Sequence, residues 1–156
     1  MRTTNGINQG IHNQGKRDNR MFVKSQGPIP AVSIGFPDVC LTPIVVPVPI
    51  PYPNIAMSVT SNPGTAALNC LSSCMPTHTM ATMGTISLGD FAGVNLGVLS
   101  GMVMGPDRVL IPSFTLLSGG LPTARMCSMT GQNGIALNAP GIVASPSQVK
   151  VLCVKA

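Results

Sequence analysis

Charged and aromatic side chains are scarce in this sequence. It contains no glutamate and no tryptophan, only 8% of its 156 residues are charged, and only 3% are aromatic. Typical soluble domains carry about 25% charged residues, and a protein that stays monomeric normally needs them. We therefore predict that a partner covers part of the surface. We do not expect a nucleic acid in that role, because a basic face interleaved with aromatic residues is missing.

Groups suited to acid–base catalysis are equally few. The sequence holds four aspartates and two histidines, and it lacks a phosphate-binding glycine loop and a nucleophile-elbow motif. A nucleophile needs a base within hydrogen-bonding distance and usually a third group that orients this base. Cys40, His78 and Asp90 are residues of the right types, but their spacing matches no thiol-protease signature. We therefore expect a protein that is not an enzyme.

The cysteines indicate a reducing compartment. Their number is five, which is odd, and residues 1–24 lack the apolar segment of a signal peptide. We expect synthesis in the cytoplasm with free thiols or a metal site, and no transmembrane helix, because Pro or Gly interrupts every long apolar stretch. Cys70, Cys74 and His78 recur at every fourth residue. This spacing allows a zinc site, but it favours small thiols that fill a core.

Glycine and proline, in contrast, are abundant, with 17 and 15 residues. Both residues disfavour helices, and strong helix formers are rare, so we predict an all-β protein made of short strands. Residues 43–53, PIVVPVPIPYP, should be extended and lie at a sheet edge or over the surface, because proline cannot donate to a strand ladder. Residues 84–88, 108–111, 113–117 and 148–154 read as further strands.

The chain divides into a tail and one domain. Residues 1–20 are polar and predict a flexible basic tail, and residues 21–156 form the domain. Either Met21 is the natural start of the protein, or the tail contacts a partner. Five of the nine basic residues lie at the beginning of the chain. They are Arg2, Lys16, Arg17, Arg20 and Lys24, with Asp18 as the one acid among them.

An internal near-repeat occurs within the domain. The pattern Leu-Ser-x-x-apolar-Pro-Thr begins at Leu71 and again at Leu117, with an offset of 46 residues. Two copies of a turn followed by a strand predict pseudo-symmetric packing.

Several blocks of the domain resemble one family in the same order. They are FPDVCLTPIVVPVPIPYPN at residues 36–54, followed by ISLGDFAG, VLSGMVMGP, GGLPTAR and APGIVASPSQVKVL. Together they resemble the PAAR-like proteins, which are spike tips of type VI secretion systems and related contractile injection machines. The family name records a Pro-Ala-Ala-Arg repeat, whose counterpart here is Pro122-Thr123-Ala124-Arg125 with an echo at Pro76-Thr77-His78.

This resemblance implies a compact β-rich cone with a pseudo-threefold base and little helix. It implies that the base caps the blunt end of a trimeric VgrG-type spike, with one copy of the chain per trimer. The protein would then be made in the bacterial cytoplasm without a signal peptide and exported with the spike. It would contact the target membrane during puncture and aid effector delivery. Two alternatives are an adaptor that loads a separately encoded effector and a metal-binding β module unrelated to secretion.

The resemblance also implies a zinc ion near the apex with histidine and cysteine ligands. By their position in the blocks, Cys40, His78 and Cys127 are the candidate ligands. Only one histidine lies outside the tail, so a site of three histidines and one cysteine cannot be built from the domain.

Overall fold

The computed structural model describes residues 20–153, and this part of the chain is built from strands. It contains 13 strands and two single turns of 3₁₀ helix, and no α-helix occurs among the described residues. The prediction of an all-β fold is therefore confirmed. No helix in residues 20–153 has the length and apolarity needed to cross a membrane. The predicted tail, apart from Arg20, lies outside the described residues, as do residues 154–156.

The strands follow one another at short intervals along the chain. The 3₁₀ turns span Ser58–Thr60 and Pro63–Thr65. The strands are β1 (Met21–Phe22), β2 (Val32–Pro43), β3 (Pro47–Met57), β4 (Ala67–Ser72), β5 (Met75–Thr77), β6 (Met83–Gly84), β7 (Ser87–Leu88), β8 (Asp107–Ile111), β9 (Ser113–Ser118), β10 (Leu121–Thr123), β11 (Met129–Gln132), β12 (Ala139–Val143) and β13 (Leu152–Cys153).

Seven strands form one antiparallel sheet that curls until it is nearly closed. Its order is β6-β8-β11-β12-β2-β3-β7, so the two edge strands are β6 and β7. Only Thr85 and Ile86 separate these strands in the chain, and a bridge joins Gly84 of β6 to Ser61, which follows the first 3₁₀ turn. The single strand predicted over residues 84–88 is therefore two strands. The chain breaks there because the Thr85 N–H donates to the Thr60 carbonyl.

The prolines of β3 occupy alternate positions along an exposed edge. Pro47, Pro49 and Pro51 lie opposite Pro43, Leu41 and Val39 of β2. Since proline has no N–H, the ladder donors of β3 come from the residues between the prolines. On the side of β3 that faces away from β2, β7 pairs only with Ile55 and Ala56. The earlier part of this edge is therefore unpaired, and its prolines present carbonyl groups but no N–H groups. This observation confirms the extended edge position predicted for residues 43–53 only from Pro47 onward, because residues 44–46 form the bend between β2 and β3.

The interior of the protein is unusually polar. Buried apolar side chains are alanine, valine and cysteine only, and buried polar side chains outnumber them among the described residues. Most of these polar groups have hydrogen-bond partners, as buried polar groups must. The fold is therefore held by hydrogen bonds between its segments more than by a core of large aliphatic residues.

Two hairpins with the same strand pairing lie outside the large sheet. In β4–β5, Ser72 pairs with Met75 and Leu71 with Pro76, and β9–β10 repeats each pair 46 residues later. Both turns have two central residues with positive φ, at 54° and 64° in the first hairpin and 61° and 84° in the second. Such turns match the twist of the flanking strands. The structure thus confirms the packing predicted from the near-repeat.

A third copy of this hairpin is formed by the two ends of the domain. β1 pairs with β13, with Phe22 opposite Leu152 and Met21 opposite Cys153. These pairs correspond to Pro76 opposite Leu71 and to Met75 opposite Ser72. No turn joins β1 and β13, so sequence repetition does not reveal this copy.

A closed ring of backbone hydrogen bonds relates the three hairpins. The Lys24 N–H donates to the Ala124 carbonyl (2.8 Å), Ala124 donates to His78 (2.9 Å), and His78 donates to Lys24 (2.9 Å). We call these three residues the threefold ring, and we call the ring with its three hairpins the base. Lys24 is buried in the ring and does not belong to a basic tail. A second set of three backbone hydrogen bonds follows the same threefold symmetry. In it the N–H groups of Gln26, Met80 and Met126 donate to the carbonyls of Pro76, Pro122 and Phe22, respectively.

Candidate functional site: a threefold base and a buried polar cluster

Each of the three hairpins of the base exposes a leucine at the same position. Leu71, Leu117 and Leu152 occupy equivalent positions in the three hairpins and are 62%, 58% and 40% exposed. Three residues earlier in each copy, another large apolar side chain is exposed. Apolar surface repeated in this way marks an interaction site more often than isolated exposed residues do. These earlier residues are Leu68, Phe114 and Val149.

Two grooves lie between neighbouring hairpins and are related by the same symmetry. One groove of about 320 Å³ is lined by residues 67–69 and by residues 118–121 at the turn of the next hairpin. The other, of about 190 Å³, is lined by residues 148–150 and by residues 73–74 at a turn. In each groove, the turn of one hairpin faces the residues that lead into the outer strand of another. The place where symmetry would put a third groove lies outside the described residues 20–153.

The end opposite the base is apolar and carries almost no charge. Val32 of β2 accepts a hydrogen bond from Ala144, and from there β2 leads to the tip of the β2–β3 hairpin. At this tip Val45 is 95% exposed. The loop over residues 91–102 lies beside it, with Val98 donating to Val39. We call residues 43–48 and 91–102 the distal end. Its exposed apolar residues include Ile44, Val46, Phe91, Val94 and Leu99.

Beneath the distal end lies a buried cluster of polar side chains. Asp38 and Cys40 come from β2, and Asp90 follows β7. One ligand atom of each lies within 4.8 Å of the others, which is close enough to hold a metal ion. Two amides complete what we call the polar cluster, Asn133 after β11 and Asn138 before β12.

The amides of the polar cluster are oriented by the backbone. The Gly105 N–H donates to Asn133 Oδ1 at 2.9 Å, and the Leu99 N–H donates to Asn138 Oδ1 at 2.9 Å. Both Nδ2 groups must therefore point toward the carboxylates. Asn138 donates to Asp38, and Asn133 donates to Asp38 at 3.1 Å and to Asp90 at 2.8 Å.

The Cys40 thiol is protonated in this environment. Burial and then the neighbouring Asp38 and Asp90 raise the pKa of Cys40 to about 12. The thiol lies 3.4 Å from Asp38 Oδ1 and 3.7 Å from Asp90 Oδ2, and it can donate its one hydrogen to either carboxylate. A nucleophile must be a thiolate, so this environment opposes a nucleophilic role for Cys40.

The three candidate zinc ligands do not lie together. Cys40 belongs to the polar cluster, whereas His78 lies in the base and Cys127 is exposed. His78 Nε2 donates to Gln26 Oε1 at 2.8 Å, because the Gln26 amide nitrogen faces the Ser61 carbonyl. Burial and Lys24 lower the pKa of His78 to about 3. Within residues 20–153, the group able to hold a metal includes Cys40 but neither His78 nor Cys127. Zinc on these three residues stays a prediction.

The polar cluster has residue types suited to a metal, and the Asn133 amide packs against its three candidate ligand atoms. Asn133 Nδ2 lies 2.8 Å from Asp90 Oδ2, 3.1 Å from Asp38 Oδ1 and 3.5 Å from Cys40 Sγ. Cys40 Sγ is itself 3.4 Å from Asp38 Oδ1 and 3.7 Å from Asp90 Oδ2, so the amide nitrogen lies to one side of the three ligand atoms and not between them.

The fold and these sites define a small all-β protein with a pseudo-threefold base and an uncharged apolar distal end. The family model described as the toxin PAAR-like domain matches residues 31–141, more than half of the chain, and the protein therefore belongs to this family. Searches of curated proteins and of solved structures returned no match. Family membership identifies the chain as a spike-associated protein and confirms the resemblance found in the sequence.

Sequence reasoning considered Asp90 only as a possible catalytic group, and it did not identify Asp38, Asn133 and Asn138. A signal for the two acids was present, since they are the only acids in residues 19–106 and each lies in a block that carries the family resemblance. The two asparagines follow no motif that would mark them.

Proposed function

We propose that the protein is the tip of a trimeric VgrG-type spike in a type VI or related contractile secretion machine. The observation that carries this proposal is the threefold ring, which gives one chain three equivalent faces. A single asymmetric chain can match three identical subunits only when it presents similar surfaces three times. One copy per trimer follows, and the proposal assigns no catalytic role to any residue.

Apolar contact and hydrogen bonds should dominate binding to the spike. The repeated leucines of the base are exposed and uncharged, and the grooves between the hairpins provide recesses for the same side chain of each subunit. Contacts of this kind depend weakly on salt. Removal of residues 1–20 should leave binding intact, because this segment precedes the base.

The distal end would then face the target membrane as the spike is exported from the cytoplasm. Residues 39–106 contain one formally charged residue, Asp90, and it is buried. The transfer of exposed valine and isoleucine side chains out of water lowers the free energy of the system. This end therefore favours a transient contact with the hydrocarbon of a bilayer.

A stoichiometry measurement tests the proposal. Native mass spectrometry of the protein mixed with the purified spike trimer should show one chain per trimer, and a complex of three chains per trimer would overturn the axial arrangement. Leu71→Asp and Leu117→Asp should each weaken binding by roughly tenfold or more. Val45→Asp places the same charge at the distal end and serves as the matched control, because it should leave spike binding unchanged.

The apolar distal end also favours a second role, that of an adaptor for a separately encoded effector. In that case an effector should copurify with the protein and be lost in Val45→Asp, while the complex with the spike persists. Membrane contact predicts instead that Val45→Asp lowers binding to phosphatidylcholine vesicles.

A further inference from the structure

We propose that the polar cluster binds a divalent transition metal of the zinc class, with Asp38, Cys40 and Asp90 as its ligands. This inference goes beyond the proposed function and does not rest on it, because the cluster lies beneath the distal end and not in the base. The proposal keeps Cys40 from the ligands predicted from the sequence. It assigns two aspartates in place of His78 and Cys127.

Among the described residues, the two carboxylates of the cluster have only neutral hydrogen-bond donors. Asp38 and Asp90 are both 0% exposed, and the sequence has no lysine or arginine between Lys24 and Arg108. Buried charges are normally paired or bound to a metal. A cation in the cluster would supply the positive charge that these donors lack. The donors are the amides of Asn54, Asn133 and Asn138, the Met104 N–H and the Cys40 thiol.

One carboxylate oxygen of the cluster has no hydrogen-bond partner. Asp90 Oδ2 accepts from the Met104 N–H at 3.0 Å and from Asn133 at 2.8 Å, and it lies 3.7 Å from Cys40 Sγ. Oδ1 of the same carboxylate is buried, and no donor in residues 20–153 reaches it. A buried oxygen without a partner carries its full desolvation cost. A metal ion bound by this carboxylate would offset that cost without a further hydrogen-bond donor.

The separations of the ligand atoms suit such an ion. Cys40 Sγ lies 3.4 Å from Asp38 Oδ1 and 3.7 Å from Asp90 Oδ2. Zinc bonds of about 2.3 Å to sulfur and about 2.0–2.2 Å to oxygen, at near-tetrahedral angles, place these ligands about 3.5 Å apart. A thiolate favours a transition metal over Mg²⁺ and Ca²⁺, which prefer oxygen ligands. Binding replaces the proton of the Cys40 thiol, which passes to the solvent.

The backbone brings the three ligands together. Asp38 and Cys40 are two residues apart on β2, so both side chains point to the inner face of the sheet. Asp90 reaches them from the loop after β7 because two glycines allow a close approach. A Cβ on Gly89 would collide with a backbone carbonyl of β3, and a Cβ on Gly93 would collide with the Cβ of Cys40.

The amides of the cluster orient the proposed ligands. Asn133 and Asn138 donate to the carboxylates, while their own oxygens accept from backbone N–H groups. Carboxylates that bind metals are commonly held by hydrogen bonds of this kind. The metal itself would cross-link β2 and the loop that follows β7, which are two segments of the distal end.

Metal content and thermal unfolding of the wild-type protein test the proposal directly. Untagged protein purified without chelators should contain one zinc ion per chain by elemental analysis. A chelator should lower its Tm by roughly 10 °C and added Zn²⁺ should restore it, because an ion that binds only the folded state stabilises that state. Protein that carries no metal and whose Tm does not respond to added Zn²⁺ would overturn the proposal.

Substitutions locate the ion. Asp90→Asn keeps the shape of the side chain and removes the charge of one ligand, so the bound zinc should be lost. His78→Gln and Cys127→Ser change the two other residues predicted from the sequence, and as matched controls they should keep the zinc. Retention of zinc in Asp90→Asn, or its loss from either control, would contradict the assigned ligands.

Cobalt spectroscopy gives a readout in the wild-type protein that does not depend on whether a variant folds. Co²⁺ added to the metal-free protein should produce thiolate-to-cobalt absorption, and folded Cys40→Ser should show none. No absorption in the wild-type protein, or absorption that persists in Cys40→Ser, would show that Cys40 does not bind a metal in this cluster.

Discussion

Buried hydroxyl pairs test the pseudo-symmetry of the base quantitatively. Ser72 Oγ and Thr77 Oγ1 lie 2.7 Å apart, and Ser118 Oγ and Thr123 Oγ1 repeat this contact at 2.7 Å. All four residues are buried. Thr77→Val keeps the side-chain shape but leaves the serine hydroxyl without a partner, which should lower the free energy of unfolding by about 1–3 kcal/mol. Thr123→Val should lower it by the same amount.

Urea unfolding at equilibrium measures both variants, and each should shift the midpoint without changing the slope. In thermal unfolding the expected fall in Tm is roughly 3–10 °C. The double variant Ser72→Ala/Thr77→Val removes both polar partners, so it should cost less than the sum of its single variants, with a coupling of about 1 kcal/mol. Additive single variants would contradict the hydrogen bond between Ser72 and Thr77. A difference of more than about 1 kcal/mol between Thr77→Val and Thr123→Val would refute the equivalence of the two hairpins.

Two further predictions concern a histidine and a pair of glycines. His78 has a pKa of about 3 in the folded protein against 6.5 as its ordinary value, so protons bind preferentially to the unfolded state between these pH values. Stability of the wild type relative to His78→Gln should therefore fall by about 1.4 kcal/mol per pH unit from pH 6 to pH 4, and a constant difference in urea unfolding would contradict the buried neutral imidazole. A Cβ on Gly84 would lie 1.5 Å from Asp107 Oδ1, whereas one on Gly120 would meet nothing within 4 Å. Gly84→Ala should consequently lower the free energy of unfolding by about 1–3 kcal/mol, because the Asp107 side chain must move, and Gly120→Asn by less than about 1 kcal/mol; equal effects in calorimetry would argue against this packing.

The all-β fold was predictable because its signals are local. The turn at residues 118–120 and the strands around Pro112 follow from glycine and proline chemistry, which acts over a few residues. Two hairpins of the base were also accessible, because their sequences repeat. The third was not, since β1 and β13 lie at opposite ends of the domain and share no turn. Only the strand pairing reveals that Leu152 stands in the position of Leu71.

The polar cluster was not predictable for a related reason. Asp38 lies 95 residues from Asn133 and 100 from Asn138, and no periodicity connects positions so far apart. The family resemblance directed attention to cysteine and histidine instead. Cys40 was therefore identified, but the amide and carboxylate partners that determine its chemistry were not.

The alternating prolines of β3 have a consequence for how copies of this protein behave side by side. A free strand edge usually recruits another edge because donors on one meet acceptors on the other. Along the free edge of β3 from Pro47 to Pro51, the backbone groups that point outward belong to the prolines. They are carbonyl acceptors, and no N–H donor lies among them. Two identical edges would bring carbonyl against carbonyl, which is repulsive. The protein can thus expose a long apolar hairpin at high local concentration without joining its neighbours into a continuous, aggregating sheet.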